Sequence, residues 1–294
     1  MFSHISNRMS CSSTISAAAT ALILLGTPAT AQAQSYQLTA NVHSYAADFL
    51  RNTSEVDDKN LNLIDKPQAL ALNALNGHAS VSSGGTTTAS FLGSIGMLKA
   101  YASASYPYCC DAQGHTVQHG YANSTAQGTF FDTLLVSSST LAIGTPVSYR
   151  LDLSINGTLS SPSFEMGGFL SADGLAEMRL RDRDSGEQAS ISWDAKKQAS
   201  GVFSLILNTQ VGHTLNINGM LYAGAYVSSS AIHRSAEADF YHSAYYQLAP
   251  SESGLNTTGL SGHDFLVTTV PEPSSMVLLA LGLALLWLPA RRRG

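Results

Sequence analysis

Two short stretches of the 294-residue chain concentrate the residue types that can do chemistry. In CCDAQGHTVQH, the adjacent thiols Cys109 and Cys110 precede Asp111, His115 and His119. A vicinal pair in an oxidising compartment can close a strained disulfide, join other chains, or stay reduced. The four-residue spacing of Asp111, His115 and His119 would align them on one helix face, where they could present a metal. Gly114 and Val117 oppose a long helix, so an exposed polar loop is the preferred reading. In RDRDSGEQ, Asp182, Asp184 and Glu187 supply oxygens of the kind Ca²⁺ takes. The order departs from a calcium loop, and Arg181 and Arg183 dilute its charge. Asp184, Ser185 and Gly186 read instead as a hairpin turn between Met178 and Ile191.

A third, dispersed set is aromatic. Tyr101, Tyr106, Tyr108, Tyr121, Tyr241, Tyr245 and Tyr246, with Trp193, could stack against sugar rings. Tyrosines also fill sheet faces while keeping the hydroxyl wet, and that use accounts for most of them. The chain has no G-x-S-x-G elbow, no H-E-x-x-H and no phosphate-binding glycine loop. The expectation is therefore a protein without catalytic residues, bound metal or cofactor.

The elements that must position these residues read as strands. YQLTANVHSYAADFL alternates apolar and polar residues, then gives way to a charged, Asn-rich stretch that reads as a loop. KPQALALNALNGH suits a short helix or a strand equally, and SSGGTTT reads as a flexible turn. In MLKAYASAS, Leu98, Ala100, Ala102 and Ala104 share one face. Further strands are expected at 122–136, 147–159, 176–180, 188–193, 202–207, 214–227, 236–248 and 263–270, separated by Gly, Pro, Asn and Asp turns. Short strands without intervening helices predict an all-β fold, an antiparallel β-sandwich or jelly roll, as one domain over 34–270. Only 12% of residues are charged and the net charge is −5. The single basic cluster, Arg291, Arg292 and Arg293, lies at the far C-terminus, which excludes a nucleic-acid face on the body.

The two ends read as addresses. Arg8, the apolar run ISAAATALILLG and the small residues of TPATAQAQ have the three parts of a secretory signal peptide, here 1–33. At the other end, an uncharged apolar segment over 274–290 is expected as a single transmembrane helix, with Trp287 at the interface and the basic tail 291–294, bearing Arg291, Arg292 and Arg293, in the cytoplasm. Before it, Pro271, Glu272 and Pro273 (the motif 271–273) can neither continue a strand ladder nor begin a helix, and they predict a stiff stalk.

This order of motif, apolar segment and arginines resembles the PEP-CTERM family, exported proteins of Gram-negative bacteria. The resemblance is specific over residues 271–294 and extends loosely into the body as a β-rich ectodomain. It implies recognition of Pro271, Glu272 and Pro273 by a membrane-embedded exosortase. It also implies transit through the inner membrane, transient anchoring, and release or transfer to the cell surface. A non-enzymatic surface or matrix protein associated with exopolysaccharide in a biofilm is the expected role. An exported carbohydrate-binding module or hydrolase with the same tail is the alternative. Glu272→Ala is expected to leave export intact and block tail processing. Intact mass of the protein recovered from its host then retains Arg291, Arg292 and Arg293, and normal processing of the variant would remove the sorting reading.

Overall fold

The computed structural model describes residues 36–48, 55–65, 74–83, 85–106, 120–161, 170–228 and 235–266, all within the compact unit Gln34–Gly294. Several expectations fall outside these residues: the signal peptide, the stretch 66–73, Cys109, Cys110, Tyr108, Asp111, His115 and His119. So do Pro271, Glu272 and Pro273, the apolar segment 274–290 with Trp287, and the basic residues Arg291, Arg292 and Arg293.

The described residues contain twelve strands and no helix. In chain order they are β1 (Tyr36–Asp48), β2 (Glu55–Asp65), β3 (Leu75–Ser83), β4 (Gly85–Ser94), β5 (Met97–Ser105) and β6 (Gly120–Leu135). Then follow β7 (Pro146–Ser160), β8 (Leu170–Asp182), β9 (Gln188–Asp194), β10 (Gly201–Gln210), β11 (Thr214–Ser228) and β12 (Ser235–Pro250). They form two antiparallel six-stranded sheets: sheet A in the order β2-β1-β6-β11-β8-β9, and sheet B in the order β10-β7-β12-β5-β4-β3. Across the sandwich, β2 faces β3, β1 faces β4, β6 faces β5, β11 faces β12, β8 faces β7, and β9 faces β10. Most facing strands are therefore sequence neighbours, so the chain passes between sheets without crossing itself.

Alternation dictates which side each residue takes. Leu98, Ala100, Ala102 and Ala104 are buried, whereas Lys99, Tyr101 and Ser103 look outward. On β8, Ala172, Ala176, Met178 and Leu180 are buried between outward Leu175, Glu177, Arg179 and Arg181. The RDRDSGE turn joins β8 to β9 with Met178 opposite Ile191, as its sequence predicts.

Three expectations change. The charged stretch after β1 is a strand, not a loop: β2 pairs with β1 from Leu38↔Asp65 to Asp48↔Glu55. An edge strand has only one neighbour and tolerates charge that a central strand would reject. Thr86, Thr87 and Thr88 of SSGGTTT lie in β4 rather than in a turn, paired with Ser105, Ala104 and Ser103. Residues 263–266 make only isolated bridges. They close a strap, Ser251 to Leu266, whose backbone N–H groups go to scattered acceptors instead of a ladder: Asn256 to Ser137 O, Leu260 to Thr133 O and Phe265 to Thr257 O.

The core is graded along the strands. Near the β6 N-terminus it is lined by alanines, among them Ala46, Ala89, Ala104, Ala122, Ala172, Ala225 and Ala238. Near the β6 C-terminus it is built from Leu134, Leu151, Leu180, Leu215, Leu248, Tyr149 and Phe265. Large rings sit over glycines where the sheets meet. A Cβ on Gly128 of sheet A would overlap the ring of Phe91 in sheet B, and one on Gly174 of sheet A would overlap Phe240 in sheet B. Trp193 packs edge-on against Phe240 at 5.5 Å, and Tyr246 edge-on against Phe130 at 4.9 Å. Their polar atoms are satisfied: Trp193 Nε1 donates to Ala199 O at 3.1 Å, and Tyr246 Oη donates to Met220 O at 2.7 Å.

Phe240→Ala is expected to cost about 3–5 kcal/mol in urea unfolding. Gly174→Ala should be costly with Phe240 present and much milder in the Phe240→Ala background, a coupling of about 0.5–3 kcal/mol. Equal costs in both backgrounds would show that ring and glycine do not share the space.

Candidate functional site

The outer face of sheet A is the surface on which the fold gathers adaptable side chains. On β1, β6 and β11 the inward positions are spent on the core, and the alternate positions place polar and aromatic residues side by side. Register puts Asn41 opposite Gln127 and Gln127 opposite Tyr222, Tyr45 opposite Asn123 and Asn123 opposite Tyr226, and Thr39 opposite Thr129. Thr39 and Thr129 join by a hydroxyl–hydroxyl hydrogen bond of 2.6 Å, and Gln127 Nε2 donates to Met220 Sδ at 3.5 Å.

Three tyrosines close one end of this face. Tyr45 and Tyr121 stack with centroids 5.1 Å apart and planes 24° apart, and Tyr226 lies 5.9 Å from Tyr121. His43 joins the row 6.4 Å from Tyr45. Burial raises the Tyr226 hydroxyl pKa, helped by neighbouring Tyr121 and opposed by the Ser228 hydrogen bond, so it stays a neutral donor. Tyr222 is raised in the same way, by burial and by Asp173. At the other end a recess of about 340 Å³ is lined by Gln37, Phe131, Arg179, Asn218 and Met220, among others. From Tyr121 to Phe131 the face runs roughly 34 Å at about 3.4 Å per residue. Between Thr39 and Tyr45 on β1, Tyr121 and Thr129 on β6, and Met220 and Ser228 on β11 it bears no Asp, Glu, Lys or Arg.

The aromatic residues named from sequence divide between surface and core. Tyr121 belongs to this row. Tyr106, Tyr246 and Trp193 are core residues, which removes them from any sugar platform. Tyr241 and Tyr245 lie on β12, at the surface, and Tyr101 faces outward on sheet B, its hydroxyl donating to Glu237 Oε2 at 3.1 Å. Tyr45, Tyr222 and Tyr226 are the tyrosines that sequence reading missed. Their alternation within β1 and β11 is visible in the sequence, but their adjacency depends on the pairing of both strands with β6.

The acidic turn is structural. Asp182 is fully buried, and its carboxylate is saturated: Oδ1 accepts the N–H groups of Asp184 and Ser185 at 2.8 and 3.0 Å, and Oδ2 accepts Thr209 Oγ1 and His213 Nδ1, both at 2.7 Å. Asp184 Oδ2 accepts the N–H of Thr214 at 2.6 Å, and Gly186 takes the turn's positive φ of 80°. Ligand atoms of Asp182, Asp184 and His213 lie within 4.8 Å of one another, but a cation there would have to displace bonds that hold the β10–β11 turn against β8. Glu187 is exposed and contributes its backbone alone: its carbonyl accepts the Asp182 N–H at 2.9 Å and its N–H donates to Ser185 Oγ at 3.3 Å. A second buried carboxylate, Asp132, fixes the strap by accepting Ser261 Oγ at 2.5 Å, Ser261 N at 3.2 Å and Thr133 N at 2.8 Å. Burial raises its pKa, and these bonds only partly oppose the rise. His263, packed edge-on against Phe265 at 4.6 Å, is lowered by burial against the opposing pull of Asp264.

The Asp182–His213 pair makes stability depend on pH. Burial pushes Asp182 upward, but the bonds from His213, Ser185, Thr209 and Asp184 outweigh it and hold the carboxyl far below its ordinary 3.8. Its contribution is present above 3.8 and lost only as pH falls through the lower folded value. Hydrogen bonding to Asp182 raises His213 above 6.5 against a small loss from burial, so its contribution is complete below 6.5 and lost as pH rises through the folded value. The melting temperature is expected to fall as pH rises above 6.5 and through the raised folded value of His213, and His213→Gln should flatten that part of the profile. An unchanged slope in the variant would assign the loss to another group.

One family model matches the chain, the PEP-CTERM protein-sorting motif, over residues 269–293. No curated protein and no solved structure matches it. The matched residues include Pro271, Glu272 and Pro273, Trp287, and the basic Arg291, Arg292 and Arg293. The motif implies export, membrane transit and then the surface, with processing by an exosortase, a membrane enzyme.

Proposed function

With a PEP-CTERM sorting motif at its C-terminus, we propose that this chain is a non-catalytic surface or matrix protein. Its sheet A outer face engages exopolysaccharide, and the segment 274–290 anchors it in the membrane, with Arg291, Arg292 and Arg293 on the cytoplasmic side, until the tail is processed. The observation that carries the binding role is the row Tyr45, Tyr121 and Tyr226 set beside a field of Asn, Gln and Thr. Sugar rings present apolar C–H faces that pack on aromatic rings, and hydroxyls that exchange hydrogen bonds with amides and other hydroxyls. The want of ionic side chains along this stretch suits a neutral, hydrated polymer. Its length of roughly 27 Å from Tyr121 to Thr129, at about 3.4 Å per residue, suits an extended chain better than a single small ligand. Biofilm polysaccharide is the polymer an exported, tail-processed protein meets.

A carbohydrate-binding module uses the same physics, and this face supports that reading more directly than it supports hydrolysis. Hydrolysis needs two facing carboxylates, and the recess on this face is lined by one, Glu177.

The test is co-sedimentation with the extracellular polysaccharide of the host. Tyr121→Ala with Tyr226→Ala is expected to weaken binding about tenfold, since each lost ring contact is worth about 0.5–1.5 kcal/mol. Tyr101→Ala on sheet B should leave binding unchanged. Equal binding by both variants would remove the sheet A face from the role.

A further inference from the structure

Four of the exposed large hydrophobic residues belong to one end of the sandwich: Leu135 (49% exposed), Ile143 (86%), Leu260 (53%) and Leu266 (45%). Leu135 ends β6, opposite Thr214 at the start of β11. Leu260 donates its N–H to Thr133 O at 2.7 Å, two residues before Leu135. Ile143 lies against the β10–β11 turn: a Cβ on Gly212 would meet its Cγ2 at 3.0 Å, and Gly144 N–H donates to Val211 O at 2.8 Å. The segment Val136–Thr145 that carries Ile143 holds no charged residue.

The chain leaves the fold at this same end. Leu266 bridges Leu248 in parallel, and Leu248 N–H donates to Phe265 O at 2.7 Å. The strap's last residues therefore run in the direction of β12, towards Pro250 and the β6 C-terminus. Asp132 and Ser261 hold the strap by buried hydrogen bonds, which fixes the run of its described residues towards that end. From Leu266 to Ser274, where the apolar segment begins, the chain can reach at most about 29 Å, at up to 3.6 Å per residue.

We propose that this apolar rim rests on the surface of the phospholipid bilayer that holds the tail, so that the sandwich stands on the membrane by its leucine-rich end before processing. The proposal rests on the anchoring reading given above. A short tether at that end brings the rim to the lipid surface, where Leu135, Ile143, Leu260 and Leu266 suit the boundary between headgroups and acyl chains and the exposed Arg183, Asp184 and Glu252 of the neighbouring loops stay at headgroup level. The stance leaves the outer face of sheet A upright and open to the exterior.

The test uses the full chain with Cys11, Cys109 and Cys110 each replaced by Ser, reconstituted in vesicles of phosphatidylethanolamine and phosphatidylglycerol that contain a headgroup-nitroxide lipid. A fluorophore is placed on Ala142→Cys, beside Ile143, or on Ser160→Cys at the opposite end of β7. The expected result is severalfold stronger quenching at 142 than at 160. Ile143→Asp with Leu260→Asp should reduce quenching at 142 to the level at 160 while the chain still floats with the vesicles. Flotation with equal quenching at the two sites would overturn the rim's role alone. A change at 142 that follows protein concentration rather than nitroxide would assign the rim to a second copy and overturn the proposal. Failure to float would overturn the anchoring, and the rim with it.

Discussion

Everything in this fold depends on how closely two sheets can approach while still enclosing large rings. The inner faces near the β6 N-terminus are lined by alanine, which leaves little depth between them. Phe91 and Phe240 fit there because Gly128 and Gly174, in the opposite sheet, present no Cβ to the rings. Close packing makes such sites sensitive in both directions, to a lost ring and to an added methyl. Gly219, beside Phe130 and Tyr246, repeats the arrangement towards the thicker, leucine-rich end. Once the inner faces are paired in this way, every strand's register is set, because a one-residue slip would turn its whole buried row outward.

The leucine-rich end carries the irregular backbone, and two buried carboxylates organise it. Asp182 gathers the β8–β9 turn, Thr209 and His213; Asp132 gathers the strap through Ser261. A buried carboxylate is tolerable only when its lone pairs are occupied, and both are bonded to nearby N–H and O–H groups. The two respond to burial differently. Asp182 has enough donors, one of them a histidine, to stay ionised far into acid, whereas the desolvation of Asp132 outweighs its three bonds. An acidic cluster that sequence alone could offer to calcium is thereby a fastening for loops.

Placing the fastenings at one end leaves the sheet faces free for contact. On sheet A the outward rows of β1, β6 and β11 unite tyrosines, amides and hydroxyls, with no Asp, Glu, Lys or Arg between Tyr121 and Thr129 of β6 or between Met220 and Ser228 of β11. Both ends of the described body lie at the leucine-rich end: Tyr36 pairs with Asp132, the same residue that holds the strap.

Much of this was legible in the residues. The antiparallel all-β class, the alternation that buries Leu98 through Ala104, the β8–β9 turn and the sorting tail are local patterns, set by strand period, turn chemistry and a linear motif that needs no fold to be read. β2 escaped because Asp57, Asp58, Lys59 and Asn60 resemble a loop, and only its place at a sheet edge makes a strand of them. The aromatic row escaped for a related reason: Tyr45, Tyr121 and Tyr226 are distant in sequence, and pairing with β6 makes them neighbours. Trp193 and Tyr246, equally plausible on paper, went to the core because their strand positions point inward. By itself the sequence determined the address and the kinds of elements, since both are encoded over short spans. Only the tertiary structure decided which side chains share a surface, because long-range strand pairing, not residue type, sets which rings stand side by side.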